Sequence, residues 1–517
     1  LLLALLVLPA LAGAREDPLA DAAAALERGD GVAAEVAARR ALEAGEPHAA
    51  VDAYLGEAAL LQGDLDEARQ WLAPGAFDAA GAQRGFHALG KVELAAGHFG
   101  PAATAFDRAL RAGKPDARLW VDIGRLRYQA GEQHLAGDAV NRALAIDADE
   151  PRALQFQAEL VRDAQGVAAA LPWFERAVQE APKNLDMLGE YAATLGELGR
   201  YREMLAVARA MVKVDRTDPR PYFLQAVLAA RAGQDELARR LLWSAKGTYD
   251  DTPAGMLVAG VLEYRAGSTE LAVERSAKLA DMQPDNDTAA QMLGRALLAD
   301  GDASEVIARF AARAARADAS PYLLTLVGRA YEQIDRRDLA APLLDRAAQA
   351  SGARAEPLAP TDASDLAIYR WGDDPTAADV AVPTLRKLLS QGRAGEVAAY
   401  CVKLRERFPN SSDIEVLTGD AALLGGDGAG ALALYRSASR VRWTAALAMR
   451  IAAAERRLGH EAVAQGELAA YLAQHPQDGA VAALVGRAAA ARGDWRRAAM
   501  LLGNAARLPG GAGDPRL

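Results

Sequence analysis

Glycine returns in this chain at a fixed interval of 34 residues. Counted in steps of 34 from Arg15, the fifteenth place holds Gly29, Gly63, Gly97, Gly131, Gly199, Gly233, Gly267 and Gly301, and fails only at Gln165 and Asp335. The phase runs without insertion to Arg354. It resumes in steps that begin at Ala378, Ser412, Ala445 and Gly479, where Gly392, Gly426, Gly459 and Gly493 hold the same place. The second of these later steps is one residue short. Twelve of fourteen steps therefore carry the glycine, whereas 46 glycines scattered over 517 residues would supply about one. A period of this length means a stack of small units, each packed only on its neighbours, so the length of the chain does not translate into a number of globular domains.

Other positions repeat in the same phase and point to helices. Position 8 is small throughout: Ala22, Gly56, Gly90, Gly124, Ala158, Ala192, Ala226, Gly260, Gly294 and Gly328. Position 20 is mostly alanine, as in Ala34, Ala68, Ala102 and Ala136. Positions 4, 7, 8 and 11 share one helical face, as do 20, 24 and 27, because steps of three, four and seven return to the same side. Small side chains at 8 and 20 let two antiparallel helices approach closely. Bulky residues at position 24 (Leu72, Phe106, Phe174, Leu242, Phe310 and Tyr435) then fill the space between them. The glycine at 15 closes the first helix in a left-handed conformation. The spacing predicts one helix over positions 2–14, a second over 17–30, fourteen such pairs, and no β-sheet.

These features resemble the tetratricopeptide repeat family. The clearest copy runs from Gln83 to Asp116, with Phe86, Leu89, Gly90, Gly97, Phe99, Ala102, Phe106 and Ala109 in the family's places. The family's closing proline stands at position 32 as Pro182, Pro284, Pro409 and Pro476. Elsewhere it shifts to the start of the next repeat, as Pro151, Pro219, Pro253 and Pro321. The aromatic at position 11 is mostly lost, with Tyr331 an exception. The resemblance implies an all-α, right-handed superhelical solenoid of about fourteen 34-residue helix-turn-helix repeats.

The division along the chain follows. Residues 1–14 read as a secretory signal: an apolar run, Leu1–Leu11, then Ala12-Gly13-Ala14 and the charged Arg15-Glu16-Asp17. No cysteine follows, so a lipoprotein anchor is not expected. An uncleaved segment holding the chain at the inner membrane is the alternative. Residues 15–354 hold ten repeats, 378–512 four more, and 513–517 a tail. Between the blocks, 355–377 loses the phase, carries Pro357, Pro360 and Pro375, and reads as an irregular connector with room for a short helix after Asp362.

Little of the sequence suggests chemistry. The single cysteine, Cys401, falls at position 24 and reads as a core residue. No two of the six histidines share a metal-ligand spacing. His460-Glu461 opens like a zinc-protease helix, but Ala464 stands where the second histidine belongs. The run Gly425 to Gly430 lacks the Lys-Ser/Thr of a phosphate loop. We expect no enzyme, metal or cofactor. A net charge of −10 gives no positive footprint for nucleic acid.

The one chemical lead lies on the first helices. In the resembled family these line a concave face that takes ligand through positions 2, 5, 9, 12 and 13. Here position 2 holds Arg84, Arg118, Arg152 and Arg220, and position 9 holds Lys91, Arg125, Arg295 and Arg329, with His87 and Tyr128 on the same stripe. A basic strip in an acidic protein suggests an anionic partner; the alternative is a solvated face whose arginines pair with the chain's own carboxylates. The expectation is a non-catalytic adaptor, exported to the periplasm, that binds other proteins along this groove. Such scaffolds resemble components of exopolysaccharide secretion or outer-membrane assembly. An envelope-polymer-modifying enzyme or its accessory subunit, and a membrane-anchored assembly factor, are the other readings.

Overall fold

The computed structural model of the chain describes residues 17–283, 286–316, 319–349, 378–409 and 411–508. The signal-like segment, the expected connector at 355–377 and the tail lie outside these. Among the described residues there are 28 helices and no strand, in fourteen consecutive pairs that keep the phase of the sequence. Repeat 3, for example, comprises Ala82–Ala95 and Phe99–Ala112; repeat 4, Ala117–Gln129 and Gln133–Ile146; and repeat 14, Gly479–Ala491 and Trp495–Ala505.

Each pair is punctuated in the same way. All twelve glycines at position 15 have positive φ, between +71° and +89°. The two exceptions keep the geometry by other means: Asp335 itself takes φ +59°, and at Gln165 the role passes to Gly166, at φ +102°. The next residue then starts the second helix. Asp30, Asp64, Asp302, Asp427 and Asp494, all at position 16, accept a first-turn amide of the helix that follows. The displaced prolines do the same for first helices. Pro253 and Pro321 open theirs behind capping Thr252 and Ser320.

Packing inside a pair is position 8 against position 24. A Cβ on Gly419 would lie 2.5 Å from the Tyr435 ring, and one on Gly90 would overlap the Phe106 ring. The facing residues Leu72, Phe106, Phe174, Cys401 and Tyr435 are all 1 % exposed or less. The two shortest second helices among the described residues end at positions 24 and 26. In repeat 2 the helix Leu65–Leu72 ends before Pro74, which has no amide to donate, and Phe77 then packs edge-on against Phe86 at 5.1 Å. In repeat 7, Asp235–Ser244 ends where Lys246 and Gly247 both take positive φ, and Tyr249 stacks on Phe223 at 4.1 Å.

The contacts of the described residues gather into two compact bodies, divided between Phe156 and Gln157. Within the second, the chain touches itself across many repeats. The Trp443 amide donates to the Asp163 carbonyl at 2.7 Å, and the Gln474 side-chain oxygen accepts the Ala169 amide at 3.1 Å. Tyr201 donates its hydroxyl to Gln477 at 2.9 Å, and Arg231 reaches the same oxygen at 3.3 Å. Repeat 13 and the end of repeat 12 are thus clasped onto the turns of repeats 5 and 6. The turn glycines record it: eleven of the twelve at position 15 face open space, whereas Gly199 has Gln477 Nε2 at 2.6 Å from where a Cβ would stand.

Candidate partner-binding face

In the first body the stripe faces inward. Arg118 of repeat 4 donates to Glu27 of repeat 1 at 2.8 Å, across 91 residues of chain. Side chains three repeats apart meet only where the stack curves towards itself, so position 2 of repeat 4 and position 13 of repeat 1 both line the concave side. Arg118 also lies 3.8 Å from Glu150. Arg84 donates to Glu57 at 2.8 Å and sits over the Tyr54 ring at 5.0 Å.

The centre of this face is a buried carboxylate that the sequence reading passed over. Asp122, 3 % exposed, is held by His87 Nε2 at 2.8 Å on one oxygen and by Arg152 at 2.8 Å on the other. These three come from repeats 4, 3 and 5, so one carboxylate joins three consecutive first helices. Burial pushes the Asp122 carboxyl up. The His87 hydrogen bond and the Arg152, His87 and Lys91 charges outweigh it and hold the group at about 2. Arg125 lies over the Phe156 ring at 4.9 Å, and Tyr128 meets the same ring edge-on at 6.4 Å.

In the second body Arg220 pairs with Asp218 and Asp186, and Arg329 with Glu332 at 2.5 Å. Arg295 is different. It lies over the Tyr264 ring at 5.2 Å and lines a cavity of ≈ 530 Å³ in repeats 7 to 10. The lining falls on the expected stripe: Leu257 and Gln291 at position 5, Val261 and Arg295 at 9, Tyr264 at 12 and Tyr322 at 2. Burial pushes the Tyr322 phenol up to about 12 against the opposing charge of Arg295, so it stays protonated at any ordinary pH. Arg507 and Leu508, just after the last helix, close the far side.

Within each body the stripe positions lie together, but in the first body their charges are largely matched by carboxylates: Glu57 and Glu27 at positions 9 and 13 of the stripe itself, and Asp122 at position 6 beside it. Acidic residues on the first helices were the available signal. The remaining candidates have structural roles. His460 binds Glu455 at 2.9 Å, and His98 binds Glu93 at 2.7 Å, the same position-11 to position-16 pairing in two repeats. Arg450 grips Asp420 through two bonds of 2.7 and 3.0 Å, while Tyr435 donates to the same carboxylate at 2.6 Å, all buried. Among the described residues no group of three or more His, Cys, Asp or Glu could hold a metal ion, and no helix is long and apolar enough to cross a membrane.

Comparison with known proteins agrees with this architecture. Residues 87–151 match the family described as tetratricopeptide repeat. No curated protein matches the sequence. Among solved structures the chain is similar to PilF of Pseudomonas aeruginosa, at 16 % identity and a TM-score of 0.35, covering 40 % of this chain and 94 % of that one. A human IFIT1 dimer solved with m7Gppp-AAAA is 15 % identical, with a TM-score of 0.39 and coverage of 80 % and 94 %. The APC/C hetero-tetramer Cut9-Hcn1 gives 13 % identity and a TM-score of 0.36, with 98 % and 96 % covered.

Proposed function

We propose, on the premise that this chain belongs to the tetratricopeptide repeat family, that it is a non-catalytic scaffold of the cell envelope which holds partner proteins along its inner face. The observation that carries the reading is that the stripe positions of four successive first helices, in repeats 7 to 10, line a single concavity. A face assembled from many repeats, with ionic groups spaced along it, suits an extended partner segment more than it suits a reaction. The apolar run Leu1–Leu11 ending in Ala12-Gly13-Ala14 supports export to the periplasm, and polymer export or outer-membrane assembly is the setting we favour.

Pairing of the stripe arginines changes how a partner would bind. An acidic segment must exchange with Glu27 and Glu57 rather than meet bare cations, so each contact is worth only ~0.2–1 kcal/mol. The test uses the double variant Arg118→Gln with Arg125→Gln, which leaves the Arg152–Asp122 pair intact. Proteins captured from the envelope fraction by the full chain should be retained less by the variant, with a weaker salt dependence and unchanged helicity. Equal capture and equal salt response would remove the inner face of the first body from the reading. Recovery of the chain in the cytosolic fraction would remove the envelope.

A further inference from the structure

Two arginines of the second body stand apart from the rest of the inner face. Among the described residues neither Arg295, which lies over the Tyr264 ring with the Tyr322 phenol nearby, nor Arg507 makes a side-chain ion pair, although both border the same cavity. The chain does not lack carboxylates, since acidic residues outnumber basic ones by 69 to 59. Below the arginines the walls are apolar: Leu257, Val261 and Met292, with Leu508 facing them and itself only 6 % exposed. The phenols of Tyr264 and Tyr322 complete the polar rim.

From this arrangement we infer that the cavity is a binding site for a small amphiphilic carboxylate, with its apolar body on the walls and its anion between Arg295 and Arg507. A volume of ≈ 530 Å³ lies in the range of small-molecule sites. It is too small for a folded domain. The apolar walls supply the driving force by removing hydrocarbon from water. A guanidinium without a carboxylate partner costs less to engage than one that must first release its own. The protonated Tyr322 phenol is a donor towards an anion and cannot repel it. Arg507 and Leu508 follow the last helix, so the site is complete only while repeats 13 and 14 lie against the middle of the array, and an occupant would tighten the clasp at Gln474 and Gln477.

The inference rests on the inner face being a binding face but concerns a different class of ligand, so the two can fail separately. Titration calorimetry on the full chain would use decanoate, decanol and acetate as probes. Decanoate should bind at one site, with decanol and acetate at least tenfold weaker, because one lacks the charge and the other the body. Arg295→Gln and Arg507→Gln should each weaken decanoate several-fold and together more than tenfold, while Arg329→Gln, also an exposed position-9 arginine, should not. The Gln474→Ala variant should weaken it too. Equal binding of decanol, no saturable decanoate binding, or unchanged affinity in the double arginine variant would overturn the proposal. So would an acidic, leucine-containing peptide that competes at lower concentration than decanoate. Loss of this site with protein capture intact would leave the scaffold reading standing.

Discussion

Tyr201 and Gln477 are 276 residues apart in sequence and 2.9 Å apart in space. In a stack whose members touch only their neighbours such a contact has no counterpart, and it makes the second body a closed arrangement. The Ala169 amide, in the first turn of Val167–Glu180, has no acceptor within its own helix and is capped by Gln474 instead. Replacing Gln474 with alanine removes about 1 kcal/mol of hydrogen bonding, so exchange at that amide should rise about fivefold while far-UV helicity stays constant. Hydrogen exchange with site resolution reads this directly; unaltered protection would mean the clasp is not formed in solution.

Acid should act through Asp122. Its pKa is lowered from 3.8 to about 2 on folding, so its contribution is fully present above pH 4 and fades as pH falls towards 2. The shift corresponds to about 2 kcal/mol. Urea melts at stepped pH should show that slope in the natural chain. Asp122→Asn should be less stable near neutrality and should lack this component of the slope.

Gly90 and Gly419 at position 8 are set by the ring opposite. Gly90→Ala forces a methyl into Phe106 and should cost ~1–3 kcal/mol, since neither helix can retreat without disturbing the next repeat. Phe106→Leu, combined with it, should recover part of the loss. A Tm for Gly90→Ala equal to that of the parent would contradict the packing.

Asp335 offers the opposite experiment. It holds a left-handed turn that glycine holds in twelve other repeats. Asp335→Gly relieves the Cβ contact and should stabilise by about 0.5–1 kcal/mol. Thermal unfolding of repeats 9 and 10 should move upwards, not downwards.

Cys401 is fully buried against Leu385, Leu404 and Leu417, and burial pushes its thiol up. A thiol reagent should leave the folded chain unlabelled at pH 7 and react with one equivalent once denaturant is added. Prompt labelling of the native chain would show that repeat 11 opens readily.

What was legible in the sequence is what recurs. The glycine at 15, the small residue at 8 and the filler at 24 repeat because every pair solves the same packing problem, and Cys401 could be placed in the core from its phase alone. The clasp was not legible: Gln474, His475 and Gln477 occupy positions 30, 31 and 33, where nothing recurs, and their partners lie hundreds of residues away. The stripe was half legible. Its positions follow from the helical period, but the charge balance depends on pairings between repeats, with Glu57 and Glu27 on the stripe and Asp122 just beside it, and the period does not say which repeats meet. Two helices ended early because Pro74 and the Lys246-Gly247 pair act locally, against the period.

Closure also fixes a number. An open stack can gain or lose a member with little consequence, because each added pair only lengthens it. Between the turns of repeats 5 and 6 and the Gln474–Gln477 segment the count is set, as one pair more or fewer would carry Gln477 away from Tyr201 by the rise and rotation of a whole repeat. Duplication or deletion of 34 residues should be selected against among repeats 7 to 12, which gives this part of the chain a heritable length.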